Sequence, residues 1–196
     1  MFDTIVTKVK GFLVSPVETF QQSRADEPKA VFTYFGILLL LNAVLSALIA
    51  ALGIETMQMY AGVPLGHAFP FLVFFMMLVG GFICTVVFSA WLHLWVYLLG
   101  GKRGIMQTVH AVIYGSTPRL ILGWIPFLGI IFTLWSLVLG ILGVRELQDL
   151  VTGKAILAVA IAVIIPLIIM ILVAAYFFTT SMTMGPVPYP PTNAVT

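Results

Sequence analysis

The feature that most constrains this chain is the spacing of its breaks. Residues 91–150 read WLHLWVYLLGGKRGIMQTVHAVIYGSTPRLILGWIPFLGIIFTLWSLVLGILGVRELQDL. Turn-forming clusters interrupt this apolar sequence about every 20 residues, the length a helix needs to cross a bilayer. Gly100-Gly101-Lys102-Arg103-Gly104 carries two adjacent cations and belongs in water. Trp124-Ile125-Pro126 closes the run that follows, and Arg145-Glu146 opens the next exit. A soluble domain carries about 25% charged residues. This chain has 8%, with 61% hydrophobic residues, so lipid and not a single core must take up its apolar surface.

The fold class expected is all-α, a polytopic transmembrane bundle of five spans with a short N-terminal amphipathic helix. The spans are expected at about 30–52, 68–99, 105–123, 127–144 and 155–178, with a polar loop at 145–154 before the last. Pro118 should bend the third span and Pro166 the fifth, because proline removes a helical donor and crowds the preceding turn. Asn42 and Ser46, four residues apart in the first span, share one face and should meet another helix. Three regions result: a leader at 1–29, a membrane domain at 30–178 and a Pro-rich tail at 179–196.

In the leader, Phe2, Ile5, Val9 and Phe12 recur at helical spacing, with Lys8 and Lys10 on the opposite, water-facing side. The pattern suits a helix lying at the membrane interface or packed on the spans. Ser15-Pro16-Val17-Glu18 has the form of a capping box opening a second short helix. Asp26 or Glu27 is placed to cap the first span, with Pro28 in its first turn.

Charge sets the orientation. Lys8, Lys10, Arg24, Lys29, Lys102, Arg103, Arg145 and Lys154 all fall on one side of a five-span path, and Arg119 is the exception among nine cations. The positive-inside rule then puts the N-terminus in the cytoplasm and the C-terminus outside, in a cell membrane. No short basic region with a cleavage site precedes the first apolar run, so no removable signal peptide is read. The single cysteine, Cys84, can form no internal disulfide.

An ordered set of motifs resembles the Yip domain family, the Ypt/Rab GTPase-interacting membrane proteins. Ser15, Pro16, Thr19 and Phe20 stand in the leader, Gly100 and Gly101 close the second span, and Tyr114, Gly115, Ser116 and Pro118 interrupt the third. Ile125, Pro126 and Gly129 end the third span; Gly143, Arg145 and Glu146 form the next exit, and 152–155 open the fifth. The resemblance spans about residues 10–178. It implies five spans, an inside N-terminus, and a role in trafficking or membrane organisation without catalysis. The leader is shorter than the soluble N-terminal region of eukaryotic members, which points to a compact prokaryotic-type member.

Two constellations bear on chemistry. His93 lies eight residues before Gly101 and His110 nine after it. Antiparallel helices would hold both at about 12–14 Å from the turn, where facing rings could bind a metal or relay a proton. The alternative is that each bonds a nearby hydroxyl or carbonyl, and no carboxylate lies at that depth. Ser116 beside Gly115 invites a serine-nucleophile reading, but the surrounding motif is absent and small pairs serve helix packing. No cofactor and no metal are implied, and no basic stripe with exposed aromatics points to nucleic acid. The expected partners are the lipid bilayer, proteins at the cytoplasmic face and further copies of the chain. A scaffold and a small-solute or ion carrier built on the broken third span are the two functional classes left.

Overall fold

The computed structural model describes residues 2–53 and 68–183, and every regular element among them is helical. Most of the connection expected at 53–67, and the tail from 184 onward, lie outside the described residues. Two compact units are distinguished, Met1–Val159 and Ala160–Thr196.

The first unit opens with α1 (Phe2–Val14) and α2 (Pro16–Gln22), followed by a short 3-10 turn at Ser23–Ala25. Pro16 starts α2 where its missing amide costs nothing. The capping box does not close: Ser15 makes no side-chain cap, and the Thr19 hydroxyl donates back to the Ser15 carbonyl at 2.8 Å. Helix α3 (Pro28–Ala51) follows with Glu27 at its N-cap, then α4 (Phe69–Leu98), which carries a π-helical turn at Met76–Gly80. Gly100 and Gly104 have φ of 102° and 83°, a conformation that favours glycine, and they turn the chain into α5 (Ile105–Gly115).

Of the break or bend expected at Tyr114–Pro118, the structure has the break and not the bend: α5 stops at Gly115, Ser116 joins the two pieces, and α6 runs only Thr117–Leu122. Pro118 sits in the first turn of α6, a place where proline initiates a helix instead of kinking one. The Tyr114 carbonyl, which Pro118 cannot serve, receives the Thr117 hydroxyl at 2.7 Å. Among the described residues four helices are therefore long and apolar enough to cross a membrane: Pro28–Ala51, Phe69–Leu98, Leu128–Gln148 and Thr152–Ser181.

Helix α7 (Leu128–Gln148) outruns the expected fourth span, and α8 (Thr152–Thr183) starts before the expected fifth. The loop expected at 145–154 thereby contracts to 149–151. Asp149 adopts φ 52°, and the Leu150 amide donates to the Arg145 carbonyl at 3.2 Å, the closure that ends many helices. The core of this unit gathers on α5 and α7, where Ala111, Ile113, Tyr114, Leu139, Val144 and Leu147 are all buried. The second unit contains the rest of α8, an apolar helix that runs unbroken through Pro166.

Candidate functional site

Two polar assemblies stand out in the first unit. The first is built on Tyr114, whose side chain is wholly buried at the last turn of α5. Phe12 of α1 stacks on its ring at 4.7 Å, and Tyr34 of α3 meets it edge-on at 5.3 Å. The Tyr114 hydroxyl donates to Asp26 at 2.5 Å and accepts from the Lys8 ammonium at 3.0 Å, while Lys8 and Asp26 form an ion pair. Lys8 also lies 5.0 Å from the Tyr114 ring centroid, within cation–π range. Tyr34 in turn donates to the Thr117 hydroxyl at 2.9 Å, since that hydroxyl's own proton goes to the Tyr114 carbonyl.

This corrects the leader's expected orientation. Lys8 does not face water; its charge is half-buried and committed to Asp26 and Tyr114. Val6 and Val14 are exposed instead, and Phe12 is buried against Phe20 and Tyr114, so α1 packs on the bundle through Phe12. The Phe2 side chain lies outside the described residues.

The second assembly closes one end of the bundle. Gln148, buried in the last turn of α7, uses its whole amide: Nε2 donates to the Gly104 carbonyl at 2.8 Å and the Thr108 hydroxyl at 2.9 Å, and Oε1 accepts from the Arg103 amide at 3.1 Å. A Cβ on Gly101 would lie 3.2 Å from that Oε1 and 2.5 Å from Val96 Cγ1, so the turn needs glycine there. Around this sit the charges. Asp149 pairs with Arg24 at 2.7 Å and with Arg103, Arg24 also donates to the Glu146 carbonyl, and Gln21 donates to the Glu146 carboxylate at 2.9 Å. Arg145 pairs with its neighbour Glu146 at 2.6 Å. Partial burial works against the Asp149 carboxylate, but the Arg103 hydrogen bond and the charges of Arg24 and Arg103 outweigh it and hold its pKa below the ordinary value.

The remaining motif residues act through backbone and packing. A Cβ on Gly115 would sit 2.9 Å from the Gly140 backbone, so α5 and α7 touch through their main chains there. Gly129 would put a Cβ 2.6 Å from the Gly123 carbonyl, and the Pro126 carbonyl accepts the Leu128 amide at 2.8 Å. A Cβ on Gly100 would lie 3.6 Å from the Lys154 ammonium, so its positive φ and not crowding favours glycine there. The two histidines take different environments. His93 Nδ1 bonds the Thr108 hydroxyl at 2.8 Å, whereas His110 is buried beside Tyr114 with no hydrogen-bond partner among the described residues for either ring nitrogen. Among the described residues no three His, Cys, Asp or Glu side chains gather as a metal set. The Ser116 hydroxyl is spent on the Ile113 carbonyl at 2.8 Å.

Residues 10–185 match the Yip1 domain model, which covers most of the chain. The chain belongs to the Yip1 domain family. No curated protein and no solved structure matches it. In this Yip1 domain the sequence motifs resolve into the Tyr114 cluster and the Gln148 cap. The sequence reading missed Lys8, Asp26, Thr108 and Gln148 as members. The signal that could have found Lys8 and Asp26 is scarcity: with nine cations and seven acids in all, each charge beside an apolar run needs a partner, whereas the uncharged Thr108 and Gln148 carry no such signal.

Proposed function

We propose that this Yip1-domain protein is a non-catalytic organiser of the cell membrane, crossing it five times and presenting an assembled cytoplasmic face to protein partners. The observation that carries the reading is the joining of Arg24, Arg103 and Asp149. It brings together the start of α3, the end of α4 and the end of α7 at one end of the unit. With α7 taken as a crossing, the chain between Arg103 and Leu128 returns across the bilayer on this reading. Residues 105–122 supply 18 helical positions for that return, about 27 Å at 1.5 Å each. The third crossing is then the α5–α6 pair. The end so defined carries eight of the nine cations and is the cytoplasmic one. The exposure of Val6 and Val14 supports a lipid-facing outer side of α1 on this reading. Arg24, Arg103, Glu146 and Asp149 are joined to groups on other segments, holding the leader and loops as one surface, which suits an organiser better than an enzyme or a carrier.

Two measurements test this. In a Cys84→Ala background, a cysteine at position 60 should react only from outside and one at position 150 only from inside; the reverse pattern overturns the orientation. Reconstituted into vesicles, the protein should leave ion and small-solute permeability at the level of empty vesicles. A raised, protein-dependent flux would replace the organiser reading with a carrier.

A further inference from the structure

Beside the Tyr114 cluster, α1 and the start of α3 enclose an open cleft of about 320 Å³. Thr4, Ile5 and Lys8 form one wall, and Glu27, Lys29, Ala30, Thr33 and Tyr34 form the other. Its charge pattern is unusual for a leader that only packs. Lys8 is neutralised by Asp26, and Thr33 spends its hydroxyl proton on the Lys29 carbonyl. Lys29 and Glu27 flank Pro28, and among the described residues neither side chain makes an ion pair. Among the described residues the cleft thus offers one unpaired cation and one unpaired carboxylate, opposed in sign and two residues apart, beside apolar lining from Ile5, Ala30 and Tyr34.

A purely anionic guest would satisfy Lys29 and be repelled by Glu27. A choline headgroup carries positive charge but no N–H, so it cannot donate to a carboxylate. A phosphoethanolamine headgroup meets both requirements: its phosphate accepts from Lys29, and its primary ammonium donates to Glu27 in a charge-assisted bond. The cleft lies where α3 begins as a candidate span, which is the level of lipid headgroups. The apolar lining can take the glycerol and upper acyl chain. The geometry points to a lipid site selective for phosphatidylethanolamine, held between α1 and the first turn of α3. It rests on α3 crossing the membrane, and not on which side is cytoplasmic or on the organiser role.

The test uses the full chain in detergent, with native mass spectrometry against equal amounts of phosphatidylethanolamine, phosphatidylcholine and phosphatidylglycerol bearing the same acyl chains. Phosphatidylethanolamine should be retained about tenfold over the other two, the scale of one charge-assisted hydrogen bond. Glu27→Gln should bring it down to the phosphatidylcholine level, while Lys29→Gln, which removes the partner of the phosphate common to all three lipids, should lower the retention of all three. Both substitutions are at exposed positions, and an unchanged helical circular dichroism signal would show that the fold is intact. Equal retention of the three lipids by the unaltered chain would overturn the site. So would a phosphatidylethanolamine preference that survives Glu27→Gln, or displacement of the lipid by soluble phosphoethanolamine at equal concentration. Because lipid retention is read apart from labelling and flux, its failure leaves the topology and organiser readings to their own tests.

Discussion

Helices α3 and α4 are close in mean hydropathy, 2.2 and 2.7, yet 44% of the first one's apolar window is buried inside the protein and only 6% of the second one's. Hydropathy therefore says that both can enter lipid and does not say which faces other helices. The difference lies in a few polar and small positions. Helix α3 presents Tyr34 to Thr117 and Asn42 to the Leu120 carbonyl at 3.0 Å, and each of these needs a protein partner. Most of α4 faces outward with Phe71, Leu72, Phe75, Val79, Ile83 and Val87, which are satisfied by acyl chains. In lipid, side-chain chemistry sorts helices that the hydrophobic effect cannot.

Glycine substitutions would break that contrast most sharply. Gly115→Leu forces a side chain into the Gly140 backbone, which cannot yield as a flexible side chain would. It should destabilise the protein by about 1–3 kcal/mol. Gly80→Leu on α4, where an added Cβ meets nothing within 4 Å, should be silent. Unfolding in graded detergent mixtures would measure both. Equal losses for the two would show that α4 is packed after all.

A smaller effect is expected from Asn42→Leu. It removes the bond to Leu120 but keeps an apolar residue of similar size, so the loss should be about 0.6 kcal/mol and no more than about 1.7. The same unfolding assay reads it, and a gain in stability would mean that the carbonyl has a better partner than Asn42.

The least effect comes from pH. The folded pKa of Asp149 lies below its unfolded value, so its contribution is fully present above the ordinary carboxylate pKa, near 4. It fades as pH falls through the lower folded value. Half-exposed as it is, the carboxylate is screened by water and the change should be shallow. Asp149→Asn keeps a residue that tolerates positive φ and removes the charge. It should abolish that acid-limb slope; an unchanged slope would assign it to other groups.

The amino-acid sequence made the long helices legible because bilayer length and helix-opening prolines act locally; the expected cap at Asp26 or Glu27 does not form, since Glu27 makes no side-chain cap and Asp26 bonds Lys8 and Tyr114. Helix α3 starts at Pro28 after Glu27, two residues from where the apolar run alone would begin it, and α4 spans nearly the range read from its hydropathy. The end of α7 was harder, because Arg145, Glu146 and Gln148 look like a loop until the partners of Glu146 and Gln148 on other segments are known. Pro118 was ambiguous for a local reason: the same residue bends a helix that continues and opens one that restarts. The choice was made by Thr117, whose hydroxyl takes the orphaned Tyr114 carbonyl. The role of Lys8 is non-local altogether, since its partner Tyr114 lies 106 residues away.

The interruption at Ser116 also bears on how the chain enters the membrane. A segment of two short helices carrying Gln107, His110 and Arg119 is a poor substrate for stepwise insertion. Arg119 lies three residues from the outer end of this segment, where its side chain can reach the interface, but Gln107 and His110 add polar groups nearer its start. Its backbone breaks are satisfied only when others are present: Ser136 of α7 accepts the Arg119 amide at 3.0 Å, and Asn42 of α3 donates to the Leu120 carbonyl. On the five-crossing reading, this segment enters as a hairpin with α7, after α3 is in place. The α5–α6 pair thus depends on α3 and α7 for part of its backbone hydrogen bonding.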